Sequence, residues 1–118
     1  MKDIREFNPV VLAYVGDAVH TLYVRENLAL TTDHKANKLH KITASEIKAV
    51  AQAVKADKIL PMFTEAEKDV FMRARNAHTG SVAKNASIGE YKKATGFEAV
   101  IGYLYLTGQI ERMKELLK

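Results

Sequence analysis

No cysteine occurs in the chain, and its 118 residues include only two prolines and six glycines. The absence of cysteine excludes disulfides and thiolate metal sites and fits a reducing compartment, the cytoplasm. So few breakers leave room for long helices. No window approaches the run of apolar residues that a membrane span needs. The opening MKDIREF also lacks the apolar core of a secretory signal. There is no glycine-rich phosphate loop and no HExxH pair, and four scattered histidines single out no Ser-His-Asp set.

What is present is the composition of an ordinary soluble globular protein, 47% apolar and 27% charged. The length suits one core and is too short for two, so residues 1–118 are expected to form a single domain. The formal charge of +4 is unevenly placed. Between Arg73 and Lys93 stand Arg73, Arg75, Lys84, Lys92 and Lys93 against one acid, Glu90. Such an excess suits a polyanionic partner, and equally a solvated face.

Apolar residues recur at helical spacing and no strand is convincing, so the fold class is all-α. The first helix starts at Asn8, an N-cap followed by Pro9, and runs through NPVVLAYVGDAVHTLYVRENL to Leu28. It is apolar almost all the way round, the pattern of a buried central helix. Gly16, with Ala13 and Ala18, would let another backbone approach closely. Thr31, Thr32 and Asp33 offer caps for a second helix reaching about Ala56, with Leu39, Ile42, Ile47, Val50 and Val54 inward and lysines outward. His40 is expected to be packed or on the surface. After Pro61, Thr64 and Glu67 have capping-box spacing and open a helix through Val70, Phe71 and Ala74 that closes on RARNAHTG. Ser81 to Asn85 reads as a loop. Ser87 and Glu90 repeat the box and start a helix that passes Gly96, at a cost of about 1 kcal/mol relative to Ala, and ends at Gly108. Gln109 to Leu117 makes a last amphipathic stretch with Ile110, Met113 and Leu117 inward.

Each of the two all-round apolar segments carries one acid, Asp17 in the first and Glu98 in the second. An ionised carboxylate alone among apolar side chains is costly, so each should be protonated, paired or holding a cation. For Asp17 an ordinary partner would be Arg25, Arg75 or a tyrosine. Glu98 follows Thr95 at capping-box spacing, which would make it a helix-start device. Taken together, the two carboxylates are natural ligands of Mg²⁺, which usually takes one or two from a protein. Such an ion activates water and stabilises charge on a phosphoryl group. The basic, amide-bearing stretch of Arg73, Arg75, Asn76, Lys84 and Asn85 would then hold a phosphate backbone.

AYVGDAV resembles the signature helix of the ribonuclease III catalytic domain, and FEAVIGYLYL resembles its later acid-bearing helix. KANKLHK, AQA, RNA and AKN stand between them in the same order. From Asn8 to Leu117 the chain resembles the compact Mini-ribonuclease III form, which lacks a separate double-stranded-RNA-binding domain. The resemblance implies an all-α endonuclease fold and a homodimer with one site per subunit. It implies Mg²⁺-dependent cleavage of opposite strands of an RNA duplex, leaving 5′-phosphate and 3′-hydroxyl ends, with precursor 23S ribosomal RNA trimmed at both ends as substrate. By position it makes Asp17 the catalytic aspartate and Glu98 the metal-binding glutamate. Arg73, Arg75, Asn76, His78, Lys84 and Asn85 fall in the stretch that resembles the RNA-contacting segment. Ala13 and Thr95 stand where full-length ribonuclease III has two further acids, which implies more water in the metal shell. Ala74 and His78 stand where glycine and lysine are common. Two other classes stay open: a non-catalytic helical RNA-binding protein on the same scaffold, with structural acids, and a dimerising interaction protein with an apolar partner surface.

Overall fold

The computed structural model describes residues 3–77 and 86–118. His78, Lys84 and Asn85, and the loop expected over 81–85, lie outside the described residues. The described residues form six α-helices and no strand. These are α1 (Pro9–Thr31), α2 (Ala36–Ile47), α3 (Ala49–Ile59), α4 (Glu65–Asn76), α5 (Ile88–Leu106) and α6 (Ile110–Leu117), with short 3-10 turns at Ile4–Glu6 and Leu60–Met62.

The axis of the fold is α5. Helices α1, α3 and α4 all pack along it, which is why it is apolar on every face. Phe97, Val100, Ile101 and Leu104 are fully buried there, and each contributes on the order of 2 kcal/mol by leaving water. Leu12 of α1, Ala56 and Ile59 of α3, Phe71 of α4 and Leu116 of α6 complete one continuous core with them.

The helix starts follow local chemistry. Asn8 Oδ1 accepts from the Val10 N–H at 2.8 Å, with Pro9 next in line. Both capping boxes close reciprocally. The Glu67 N–H donates to Thr64 Oγ1 at 3.2 Å while the Thr64 N–H donates to Glu67 Oε1 at 2.9 Å. Ser87 and Glu90 do the same at 3.1 and 2.9 Å. Gly108, at φ 74°, takes the left-handed conformation that follows the end of α5. In α6, Met113, Leu116 and Leu117 turn inward, with Ile110 half-buried.

Two expectations are corrected. First, the second helix does not run unbroken to Ala56. It divides at Lys48, whose ψ of 154° is extended, and Thr32 caps the end of α1 instead, through its hydroxyl and N–H to the Leu28 carbonyl. The break lets α3 lie on α5 while α2 leans on α1. Its inward face becomes Gln52, Ala53, Ala56 and Ile59, and Val54 is 66% exposed. Second, α1 is not buried all round. Leu12, Ala13, Gly16, His20 and Val24 face the core, whereas Val11, Tyr14 and Leu22 face solvent. Asp17 is exposed with them.

A longer-range link joins α4 to α6. Glu67 is buried, yet Arg112 of α6 donates to both of its oxygens, Nε to Oε2 at 2.9 Å and a terminal nitrogen to Oε1 at 2.9 Å. Such a two-pronged pair satisfies a carboxylate that also closes the capping box of α4.

Candidate active site at the crossing of two helices

Glycine permits α1 and α5 to cross with their backbones in contact. A Cβ on Gly16 would stand 1.7 Å from the Glu98 carbonyl oxygen, and one on Gly102 would stand 2.0 Å from that of Leu12. No other residue fits at either point. The backbone approach expected at Gly16 is therefore real, and the backbone that approaches is that of Glu98. Asp17 follows Gly16 directly, so the crossing that seats the helices also sets the two acids side by side.

Continuity of α5 decides between the readings of Glu98. The helix starts at Ser87 and passes through Thr95 and Gly96 without a break, so Thr95 caps nothing and its hydroxyl donates to the Tyr91 carbonyl at 3.0 Å. Gly96 repays its low helix propensity in packing: the Phe71 ring lies 2.7 Å from where its Cβ would be.

Asp17 and Glu98 line one open cleft of about 240 Å³ together with Tyr14, Tyr91, Ala13 and Thr95. Ala13 lies one turn before Asp17, and Thr95 nearly one turn before Glu98, so both small residues share the cleft with the acids. Burial first, then the neighbouring Asp17, pushes the Glu98 carboxyl up to about 8. At neutral pH Glu98 thus holds a proton and is hydrogen-bonded to Asp17. Neither acid has an ion pair among the described residues, so the bridges to Arg25 or Arg75 do not form there. No third carboxylate or imidazole joins them in a ligand cluster among the described residues.

Behind Glu98 lies a buried polar group that periodicity did not single out. Gln52 of α3 donates from Nε2 to Glu98 Oε2 at 3.4 Å, and the same nitrogen is 3.1 Å from His20 Nδ1. His20 packs edge-on against Phe97, with ring centroids 4.9 Å apart. Burial holds the His20 imidazole down at about 4, so it is neutral at physiological pH. The signal that could have found Gln52 was its place in AQA, on the same helical stripe as Ala53, Ala56 and Ile59. That stripe was hidden by the alternative through Val50 and Val54.

The expected RNA-contacting residues divide differently. Arg73, Arg75 and Asn76 stand in the last turn of α4, as the helix closing on RARNAHTG leads one to expect, and cations suit the helix dipole there. The Arg75 Nε donates to Asn76 Oδ1 at 3.4 Å. Phe71 of α4 meets α5 at Gly96, about 200° around the helix from Glu98.

Residues 10–109 match the family model described as Ribonuclease III domain. The chain belongs to the ribonuclease III family. Within it, the chain is 46% identical to the Mini-ribonuclease 3 of Clostridium tetani over 118 residues, covering 99% of this chain and 78% of that one. It is 42% identical to the Mini-ribonuclease 3 of Enterococcus faecalis, covering 99% and 90%. A crystal structure of a Fusobacterium nucleatum protein superposes with a TM-score of 0.91 at 31% identity, over 99% of this chain and 95% of that chain. The ribonuclease III fold thus accounts for the all-α architecture.

Proposed function

We propose that this member of the ribonuclease III family, an endoribonuclease of double-stranded RNA, cuts with Mg²⁺ held between Asp17 and Glu98. The observation that carries the reading is the acid pair itself. Two carboxylates share a cleft and a proton with no cationic side chain paired to them among the described residues. Two acids side by side disfavour each other's ionisation, and a divalent cation held by Asp17 and Glu98 would relieve that repulsion. The donor set is all oxygen and leaves room for water and phosphate, which suits Mg²⁺. When bound, the ion supplies activation of water and stabilisation of charge on the phosphate.

The chain's own residues divide the remaining work. Exposed Asp17 meets the substrate side of the cleft, and half-buried Glu98 anchors its floor. Arg73, Arg75 and Asn76 at the end of α4, with His78, Lys84 and Asn85 beyond it, hold the phosphate backbone of the duplex. Recognition of A-form RNA runs mainly through backbone and shape, so no base-reading set is required. The active form is a homodimer of single catalytic domains, supported by the solvent-facing apolar stripe of Val11, Tyr14 and Leu22 on α1. Its substrate is precursor 23S ribosomal RNA, trimmed at both ends, as the family resemblance implies, and the absence of cysteine suits the cytoplasm.

Incubating the purified protein with duplex RNA, with and without Mg²⁺, tests this. Cut strands bearing 5′-phosphate and 3′-hydroxyl ends are expected only with the metal. Salt-sensitive binding without any cut would favour a second reading, a non-catalytic RNA-binding protein. Ala13 and Thr95 in the cleft are the observation that speaks for it.

A further inference from the structure

We propose that Gln52 is a positioning residue for Glu98: its buried amide, oriented by His20, holds Oε2 and leaves the other oxygen turned to the cleft. The inference rests on the metal-binding reading above and deepens it.

The direction of the amide follows from elementary donor chemistry. The amide nitrogen of Gln52, which can only donate, faces Glu98 Oε2 at 3.4 Å, and that oxygen accepts. The same nitrogen lies 3.1 Å from His20 Nδ1. With both amide protons donated, His20 Nδ1 must be the acceptor, which fixes the imidazole in its Nε2–H tautomer. His20 is in turn clamped edge-on to Phe97, the residue preceding Glu98. Gln52 is 3% exposed and His20 7%, so water competes little for either hydrogen bond.

A glutamine amide is costly to bury unless its protons find partners. An apolar side chain of similar length would fill the slot without that requirement. What the amide adds is a fixed donor on one oxygen of a carboxylate whose other side opens into the cleft. This is how groups behind a metal ligand orient it. The three groups come from α1, α3 and α5, so the break at Lys48 that lays α3 on α5 is what brings Gln52 into range.

Mn²⁺ binding by calorimetry, on the full chain without RNA, tests this with wild type, Gln52→Met, Glu98→Ala and the double variant. Gln52→Met is expected to weaken Mn²⁺ about tenfold. Glu98→Ala should weaken it at least as much, and the double variant no further than Glu98→Ala alone. Wild-type Mn²⁺ affinity in folded Gln52→Met overturns the positioning role, as does a further loss when Gln52→Met is added to Glu98→Ala. If Glu98→Ala itself binds Mn²⁺ like wild type, it is the metal-site reading that fails. Should Gln52→Met not fold, NMR of the wild-type protein decides. The Gln52 side-chain amide signals should shift as Mg²⁺ is added, together with the His20 ring nitrogens in an Nε2–H pattern. Amide signals that stay fixed through saturation overturn the proposal.

Discussion

The proton shared by Asp17 and Glu98 ties the stability of the metal-free protein to pH. Burial first, and then Asp17, pushes the Glu98 carboxyl from its ordinary 4.5 to about 8. Between those values the folded chain keeps a proton that the unfolded chain releases, so stability falls as pH rises. His20 acts in the opposite sense. Its imidazole is held down at about 4 from 6.5, so it costs stability as pH falls through that interval, and only a small part of that cost is left at pH 6.5. From pH 6.5 to 8 the Glu98 effect therefore outweighs that of His20. A single proton, at about 1.4 kcal/mol per pH unit and tapering as half the sites lose it, gives a loss of roughly 1 to 2 kcal/mol. In a chain of this size that is a fall in Tm of roughly 6 °C. Thermal unfolding followed by circular dichroism in EDTA at the two ends of the window reads it directly. Glu98→Gln should flatten the dependence, and saturating Mg²⁺ should abolish it by stabilising the deprotonated pair. A wild-type slope equal to that of Glu98→Gln would show that the two acids do not share a proton, and the reasoning would be refuted.

Gly16→Ala should cost about 3 kcal/mol or more in urea unfolding, because the new methyl meets the Glu98 carbonyl, a backbone atom that cannot step aside. A variant within about 1 kcal/mol of wild type, the size of the propensity gain, would mean that the helices do not cross there. Arg112→Ala should cost about 3 kcal/mol, because it strands the buried Glu67 carboxylate. Adding Glu67→Gln should recover part of that loss, and strict additivity would contradict the pairing. Arg75→Ala should weaken duplex RNA binding similarly for all sequences and lower the salt slope by about one unit. An unchanged slope removes Arg75 from the phosphate contacts.

What was legible in the sequence was local. Asn8, the Thr64–Glu67 pair and the Ser87–Glu90 pair mark helix starts because caps act over three residues, and all form as spaced. Gly16 pointed to a close backbone because only a missing Cβ makes such an approach possible. Tertiary choices were not legible. An all-round apolar helix such as α1 can be central or half-exposed, and only its neighbours decide. Here α5 takes the centre and leaves Tyr14, Leu22 and Asp17 toward solvent. Nothing in the residues around Lys48 breaks a helix, since no proline or glycine is near, so the packing of α3 on α5 decides it. Gln52 was missed for the same reason, because its stripe is inward only after that break. The Glu67–Arg112 pair joins residues 45 apart in sequence, and no periodicity reports on it.

The most direct test of the account compares wild type with Asp17→Asn, on duplex RNA with Mg²⁺, measuring binding and cleavage separately. Asparagine keeps the size of an exposed side chain, so fold and RNA affinity should persist. The cleavage rate should fall on the order of 10³-fold, because several kcal/mol of metal-assisted stabilisation are lost. Asp17→Asn cutting the duplex at the wild-type rate would contradict the assignment of the acid pair as the centre of the reaction.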